Sequence, residues 1–214
     1  MRKTLIVPAL LLLLVACTPE PELVDGGEGS LPYRVWQSWE EMKEVLGDHY
    51  LYPTYLPEVA MGSENPSLSS WYENPDRTLH SDELFCGYLA FFPINNRTND
   101  SIAMQVTDYE RQTFVMPRLS DLPSYHDRFR HGERFNEHTV TIGGVEIEFS
   151  SFYVAFHPQA RRGRAVLCTF TIDTVTYRMS WVQYDVEDKY ADDEQREGML
   201  RVARSIIEQV MEVE

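Results

Sequence analysis

Two consecutive glycines, Gly143 and Gly144, separate two segments of the chain that alternate apolar and polar residues. Such a pair supplies the positive φ angles of a two-residue β-hairpin turn. After the turn, residues 145–149 place Glu146 and Glu148 between apolar neighbours. Because successive strand residues point to opposite faces, this alternation predicts one buried and one solvent-facing side. The pattern therefore predicts an antiparallel sheet in this part of the chain.

Other segments rich in aromatic and β-branched residues are also predicted to be strands. They are residues 84–92, 102–107 and 112–116, and a second hairpin of 165–172 and 175–182 across Asp173-Thr174. Residues 117–137 are polar, charged and aperiodic. We expect a long surface loop there.

Helix signals flank the predicted strands. Ser38 and Glu41 have the spacing of a capping box, and Gly47 is a C-terminal stop. Asp192 or Asp193 is expected to begin a terminal helix. The apolar stripe of that helix consists of Met199, Ala203, Ile206 and Val210. The predicted class is α+β, with an antiparallel sheet covered by an N-terminal and a C-terminal helix in one domain, residues 33–214.

The first residues resemble a bacterial lipoprotein signal. Arg2 and Lys3 precede the apolar residues 5–15, and Leu14-Val15-Ala16-Cys17 follows the lipobox pattern. The apolar stretch is shorter than the roughly 20 residues of a membrane-spanning helix. Ordinary cleavage would favour a small residue in place of Leu14, so a plain secreted protein is the less favoured alternative.

Together with the predicted domain at residues 33–214, this signal divides the chain into three parts. Residues 1–16 are the predicted signal peptide, and Cys17 is the predicted lipidation site, anchoring the protein at the extracytoplasmic face of the cell membrane. Residues 17–32 are rich in Pro, Gly and Glu and are expected to form a flexible tether.

The other two cysteines, Cys86 and Cys168, lie in apolar, strand-like segments. An exported chain with two cysteines is a candidate for a disulfide between them. Buried free thiols are equally common in such segments. Sequence leaves both alternatives open.

The charge of the chain narrows the choice of partners. Its 34 acidic and 19 basic residues give a net charge of −15, or about −17 without Arg2 and Lys3. Such a surface repels phosphates, so we expect no nucleic-acid partner. The expected partners are the membrane, through Cys17, and an envelope protein or ligand that the sequence does not identify.

Several short motifs together resemble a known family. They are the capped helix, Tyr52-Pro53-Thr54-Tyr55-Leu56-Pro57-Glu58, Val140-Thr141-Ile142-Gly143-Gly144-Val145, a strand ending at Tyr177, and Ala203-Arg204-Ser205-Ile206. This order is similar to an extracytoplasmic domain of unknown function in Gram-positive lipoproteins and anti-sigma-factor-like membrane proteins. The resemblance covers roughly residues 37–210. The chain departs from the family pattern at Val59-Ala60, Gly143 and Phe170. The resemblance implies an envelope α+β domain with no established catalytic residues, so no catalytic role is carried over to this chain.

The sequence gives only weak support for a metal site. His126, His131 and His138 crowd the predicted loop, but their spacing fits no zinc motif and arginines lie between them. Acidic residues are densest at 185–194, where the calcium-loop pattern is absent. We therefore expect neither a metal nor another cofactor.

No catalytic motif is recognisable in the sequence. The expected function is a non-catalytic binding or sensing module in the bacterial envelope. The alternatives are an envelope hydrolase, with His157, Arg161 or Tyr177 in a cleft, and an accessory subunit of an envelope complex.

Overall fold

The computed structural model describes residues 23–24, 33–61, 67–72, 85–95, 100–108, 129–156, 161–185 and 192–211. Within these residues the chain forms nine strands. They are β1 (Leu23–Val24), β2 (Tyr33–Trp36), β3 (Ser67–Tyr72), β4 (Phe85–Asn95), β5 (Asp100–Asp108), β6 (Phe129–Ile142), β7 (Val145–Phe156), β8 (Arg161–Ile172) and β9 (Val175–Tyr184). The helices are α1 (Trp39–Leu46), the single turn α2 (Glu58–Met61) and α3 (Asp193–Met211), with a 3₁₀ turn at Gly47–His49.

The described strands form one antiparallel sheet in the order β1-β2-β3-β4-β5-β9-β8-β7-β6. Strands β1 to β5 follow one another as a meander, and β6 to β9 form a second meander. The two meanders join where β5 pairs with β9, with Ser101 opposite Val182. The outer strands of the sheet are therefore β1 and β6.

One face of the sheet, called the front face here, carries the main core. A row of directly opposed residues crosses it from Trp36 on β2 to Phe149 on β7. Between them lie Leu68, Ala90, Met104, Met179 and Cys168, all buried. Residues of α1 and α3 belong to the same cluster, including Met42 and Ile206. Both helices therefore pack on the front face.

The local signals for helices and turns are confirmed. Ser38 Oγ accepts a hydrogen bond from Glu41 N at 3.1 Å, and Glu41 Oε2 accepts one from Gln37 N. Gly47 ends α1 with a φ of 69°, in the region that favours glycine. Gly143 and Gly144 have φ angles of 55° and 83°, as a two-residue hairpin requires.

The α+β class is confirmed, with a short helix near the N-terminus of the sheet and a long one after it. The expected covering of the sheet is observed only in part. Helix α1 contacts β2 and β3, and α3 contacts β7, β8 and β9. Two helices contact too few strands to cover a sheet of this width.

The predicted loop at 117–137 is wrong in its last part, because β6 begins at Phe129. The register of β6 against β7 shifts twice, between His131 and Arg134 and between Phe135 and His138. Each irregularity changes which residues face the core. The polar-apolar alternation is lost there, although the backbone is extended. Residues 109–128, with the strand predicted at 112–116, lie outside the described residues.

Two residues of the predicted tether belong to the sheet. Leu23 pairs with Arg34 and Val24 pairs with Tyr33, which makes β1 the outermost strand. The composition of residues 17–32 did not predict this pairing. The predicted signal peptide and Cys17 lie outside the described residues.

Cys168 is a free, buried thiol. Its strand, β8, is three strands away from β4, which contains Cys86. Neighbouring strands lie about 4.8 Å apart, so the Cα atoms are separated by more than the roughly 7 Å that a disulfide allows. In this structure Cys168 and Cys86 are therefore not placed to form a disulfide. Burial raises the pKa of the Cys168 thiol well above its usual value.

Candidate functional site

A surface pocket of about 280 Å³ opens where the front-face core row reaches the edge of the sheet. It lies between the β6–β7 hairpin and the first two turns of α3. The residues that line it are His138, Phe149, Asp193, Arg196, Glu197 and Leu200. Phe149 and Leu200 provide apolar walls, and the other four side chains provide polar groups.

The second irregularity of β6 sets the position of His138 in this pocket. Asn136 adopts a positive φ of 52°, which turns the chain before His138 pairs opposite Phe149. The two rings stack with centroids 5.0 Å apart and planes 11° from parallel. His138 Nδ1 lies 3.0 Å from the carbonyl oxygen of Asn136. Because a carbonyl only accepts, Nδ1 carries the proton and donates it there.

The Nε2 atom of His138 has no partner within the described part of the chain, and the His138 side chain is exposed. With Nδ1 protonated, Nε2 of the neutral ring is an acceptor. It is therefore available to a ligand that enters the pocket with a donor group.

Asp192, directly before α3, connects the elements that surround this pocket. Its side chain is 1% exposed. Oδ1 accepts a hydrogen bond from Asn136 Nδ2 at 2.9 Å, and Oδ2 accepts one from Ser151 Oγ. Arg196 Nε lies 3.2 Å from Oδ1 as an ion pair, although its N–H is not aligned for a hydrogen bond. This carboxylate thus ties β6 and β7 to the start of α3.

The arginine in the pocket is balanced by carboxylates. Besides its contact with Asp192, Arg196 donates from Nη2 to Asp193 Oδ1 at 2.5 Å. Glu197 pairs with Arg201 at 3.0 Å, one turn further along α3. Two carboxylates neutralise the guanidinium, so the pocket offers no net positive charge to an anion. The described lining contains no Ser, Thr or Cys that would act as a nucleophile.

The histidines considered as metal ligands are not brought together in the described structure. His138 lies on β6 and in the pocket, the backbone of His131 is also on β6, and His126 lies outside the described residues. Among the described His, Cys, Asp and Glu side chains, no group of three or more has the geometry to hold a metal ion. Of the acidic residues at 185–194, Asp192 and Asp193 contribute to the pocket region.

Tyr177, considered for a hydrolase cleft, is instead a core residue. It is 1% exposed, and its hydroxyl accepts a hydrogen bond from Leu51 N at 3.0 Å. His157 lies outside the described residues, as does the side chain of Arg161. The structure therefore does not place Tyr177 in a cleft with either of them.

Tyr177 belongs to a buried tyrosine cluster with Tyr52 and Tyr88. The rings of Tyr52 and Tyr88 stack at 5.2 Å, and Tyr88 Oη donates to the carbonyl oxygen of Leu51 at 2.9 Å. Burial is the main reason that the pKa of each of the three hydroxyls is raised above its usual value. The cluster holds the segment after α1 against β4 and β9.

The structure also contains a histidine–aspartate pair that the sequence did not predict. His49 Nε2 lies 2.7 Å from Asp108 Oδ2, and the side chains are 32% and 2% exposed, respectively. The partners are 59 positions apart, one in the 3₁₀ turn and one at the end of β5. No local pattern in the sequence signals such a contact.

Within the described residues, no helix combines the length and the apolar character that crossing a membrane would require. The comparison of the chain with protein-family models gives no match. The search of curated proteins gives no match either.

Proposed function

We propose that this protein is a lipid-anchored extracytoplasmic lipoprotein of the bacterial envelope. The observation that carries the proposal is the lipobox Leu14-Val15-Ala16-Cys17 behind a basic start and a short apolar core. Acyl chains on Cys17 would hold the protein stably at the membrane. The resemblance to the extracytoplasmic domain of Gram-positive lipoproteins belongs to the same proposal.

The domain is proposed to act as a non-catalytic binding or sensing module. The His138 pocket supports this proposal, since it combines apolar walls with an available acceptor, Nε2 of His138. The neutralised Arg196 and the absence of a nucleophile in the described lining favour binding over chemistry. An envelope protein or ligand with a donor group is the expected partner.

Membrane attachment is tested by replacing the lipidated residue. Cys17→Ser is expected to carry no added lipid, because the thioether to the lipid cannot form, and to keep its apolar signal, because Leu14 disfavours ordinary cleavage. Ala16→Gly keeps a small residue before Cys17 and serves as the matched control, which should still carry the lipid. Mass spectrometry of the native protein measures the added lipid. An unmodified N-terminal methionine inside the cell would contradict the proposal.

Binding through the pocket is tested by cross-linking and pull-down of the anchored protein from its native membrane. The variant His138→Ala is expected to lose the partner, since it removes both the ring and the acceptor. Thr171→Ala, at an exposed site on β8, is the control and should retain the partner. Equal recovery with both variants would place the binding surface elsewhere.

Two further functions remain proposals. The His49–Asp108 pair favours an envelope hydrolase, because a buried carboxylate that orients a part-exposed histidine is a common arrangement for a general base. A hydrolytic activity lost in His49→Ala but kept in His138→Ala would support this function. The exposed apolar side chains at one end of the sheet favour an accessory subunit of an envelope complex, which pull-down also tests.

A further inference from the structure

Strand β1 limits how far the domain can move from the proposed anchor. Leu23, which pairs with Arg34, is the sixth residue after Cys17. A chain spans at most about 3.6 Å per residue, so Leu23 stays within about 20 Å of Cys17 in any conformation. The β1–β2 edge is therefore confined near the lipid surface if Cys17 carries a lipid.

The sheet is wider than this reach. Eight strand spacings separate β1 from β6. At about 4.8 Å each they amount to about 38 Å. The β6 edge can approach the lipid surface only if the whole sheet lies flat on it.

Exposed apolar side chains are concentrated in the β1–β4 half of the sheet. Among the described residues, five large apolar side chains are at least 36% exposed, and four of these lie on β2, α2 or β4. They are Val35, Val59, Met61 and Phe91. Helix α2 contacts β4, so all four lie in the β1–β4 half of the sheet, with Val35 and Phe91 on the face away from the helices and α2 on the front face. Lipid acyl chains and their interface favour such side chains.

The opposite end is acidic. On the face of the sheet away from the helices, one row of opposed residues begins at Val35 on β2 and passes through Ser69 and Leu89. The same row ends at Glu148 and Thr139 on β7 and β6. Glu146 and Glu148 are exposed there. A flat orientation with this face toward the lipid would press these carboxylates into the interface and remove their hydration, which is unfavourable.

We infer that the protein stands end-on at the membrane, with the β1–β2 end resting on the lipid surface. The β6–β7 edge, with the His138 pocket, points away from the membrane. This orientation rests on the proposed lipidation of Cys17. The occupant of the exposed apolar residues around Val35 and Phe91 is the bilayer interface.

The orientation is tested with single fluorescent labels at the two ends of the row. Val35→Cys and Thr139→Cys, each in a Cys86→Ser background, present exposed thiols on the same face of the sheet. Cys168 is buried and does not compete for the label. The lipidated full-length protein, verified by mass spectrometry, is placed in phosphatidylcholine vesicles that contain spin-labelled phosphatidylcholine. A nitrobenzoxadiazole label at position 35 should lose most of its fluorescence, and one at position 139 should lose little.

A second pair, Phe91→Cys and Thr141→Cys, repeats the measurement on β4 and β6 if either first variant unfolds. Inserting twenty Gly and Ser residues after Glu20 should weaken the quenching at position 35, because the reach limit is removed. Equal quenching at both ends, or stronger quenching at position 139, would overturn the orientation while leaving the lipoprotein proposal intact. Protein without lipid that shows no quenching at either end would overturn both.

Discussion

Asp192 shows how one side chain joins three elements. It is buried and accepts from Ser151 on β7 and Asn136 on β6, and it pairs with Arg196 on α3. A buried carboxylate is stable only with such partners, since burial alone strongly disfavours the charge. The three contacts therefore depend on one another, and the pocket wall depends on them.

Replacing this carboxylate should be costly. Asp192→Ala removes the acceptor of Ser151 Oγ and Asn136 Nδ2 and the ion pair with Arg196, so we expect a loss of about 2–4 kcal/mol in the free energy of unfolding. The neighbouring Asp193 also contacts Arg196, but its side chain is 89% exposed. Asp193→Ala should change the stability by no more than about 0.5 kcal/mol. Urea denaturation measures both, and equal losses would contradict the assignment.

The sequence predicted only part of this site. Asp192 was one of two residues expected to begin the terminal helix, and its carbonyl accepts the first helical hydrogen bond, from Arg196 N. The role of its carboxylate could not be predicted, because Ser151 and Asn136 are 41 and 56 positions away. His138 is exposed, and its stacking on Phe149 could not be predicted because it depends on the register of β6.

At the scale of elements, α3 contains a glycine where helix propensity alone would favour alanine. A Cβ atom added at Gly198 would lie 2.7 Å from Cζ3 of Trp181 on β9. Trp181 is 6% exposed and its ring has little room to move. Close packing of α3 on the sheet, rather than chain flexibility, explains this glycine.

We therefore expect Gly198→Ala to destabilise the protein by about 1–3 kcal/mol, as overpacking of a core does. At an exposed helix position the same change would stabilise by about 1 kcal/mol. Glu208→Ala, at an exposed position of α3, is the control and should be nearly neutral. Thermal and urea denaturation report the difference, and a stabilised Gly198→Ala variant would show that α3 can move away from Trp181.

Elements with local signals were predictable, and those without them were not. The capping box of α1, the Gly143-Gly144 turn and the Asp173-Thr174 turn each lie within a few residues, and all three occur in the structure. The first part of strand β6 was missed because its two register shifts interrupt the alternation that identifies a strand, and only its end before Gly143 was predicted. Strand β1 was missed because two residues are too few to show a pattern.

At the scale of the whole molecule, the tyrosine cluster makes the stability of the fold depend on pH in the alkaline range. Burial raises the pKa of Tyr52, Tyr88 and Tyr177 above the value near 10 of an unfolded chain. The unfolded state therefore loses these protons first as the pH rises. The resulting stability is fully present below pH 10 and is lost as the pH rises above it, through the raised folded-state pKa values.

Urea denaturation between pH 8 and pH 11 tests this coupling. Above pH 10 each tyrosine should steepen the decline by up to about 1.4 kcal/mol per pH unit. Tyr177→Phe should lower the stability at pH 8 by about 1 kcal/mol, since the bond from Leu51 N is lost. The same variant should show a shallower decline above pH 10. An unchanged slope would mean that Tyr177 is not protected from ionisation by the fold.

The strand order could not be predicted from the sequence, although the class could. Each meander is built from strands that follow one another in the chain, and two-residue turns specify the β6–β7 and β8–β9 pairings. The pairing of β5 with β9 joins Ser101 to Val182, and no turn connects them. The front faces of the two meanders form one apolar core across this contact.

The pairing of β5 with β9, called the seam here, also determines the order in which the strands of the sheet can pair. Hairpins within each meander close short loops and can form quickly, whereas the seam must wait until residues 175–184 are available. Until then β5 exposes an unpaired strand edge to other chains, which favours aggregation. Synthesis must therefore deliver nearly the entire polypeptide before this edge is protected from self-association.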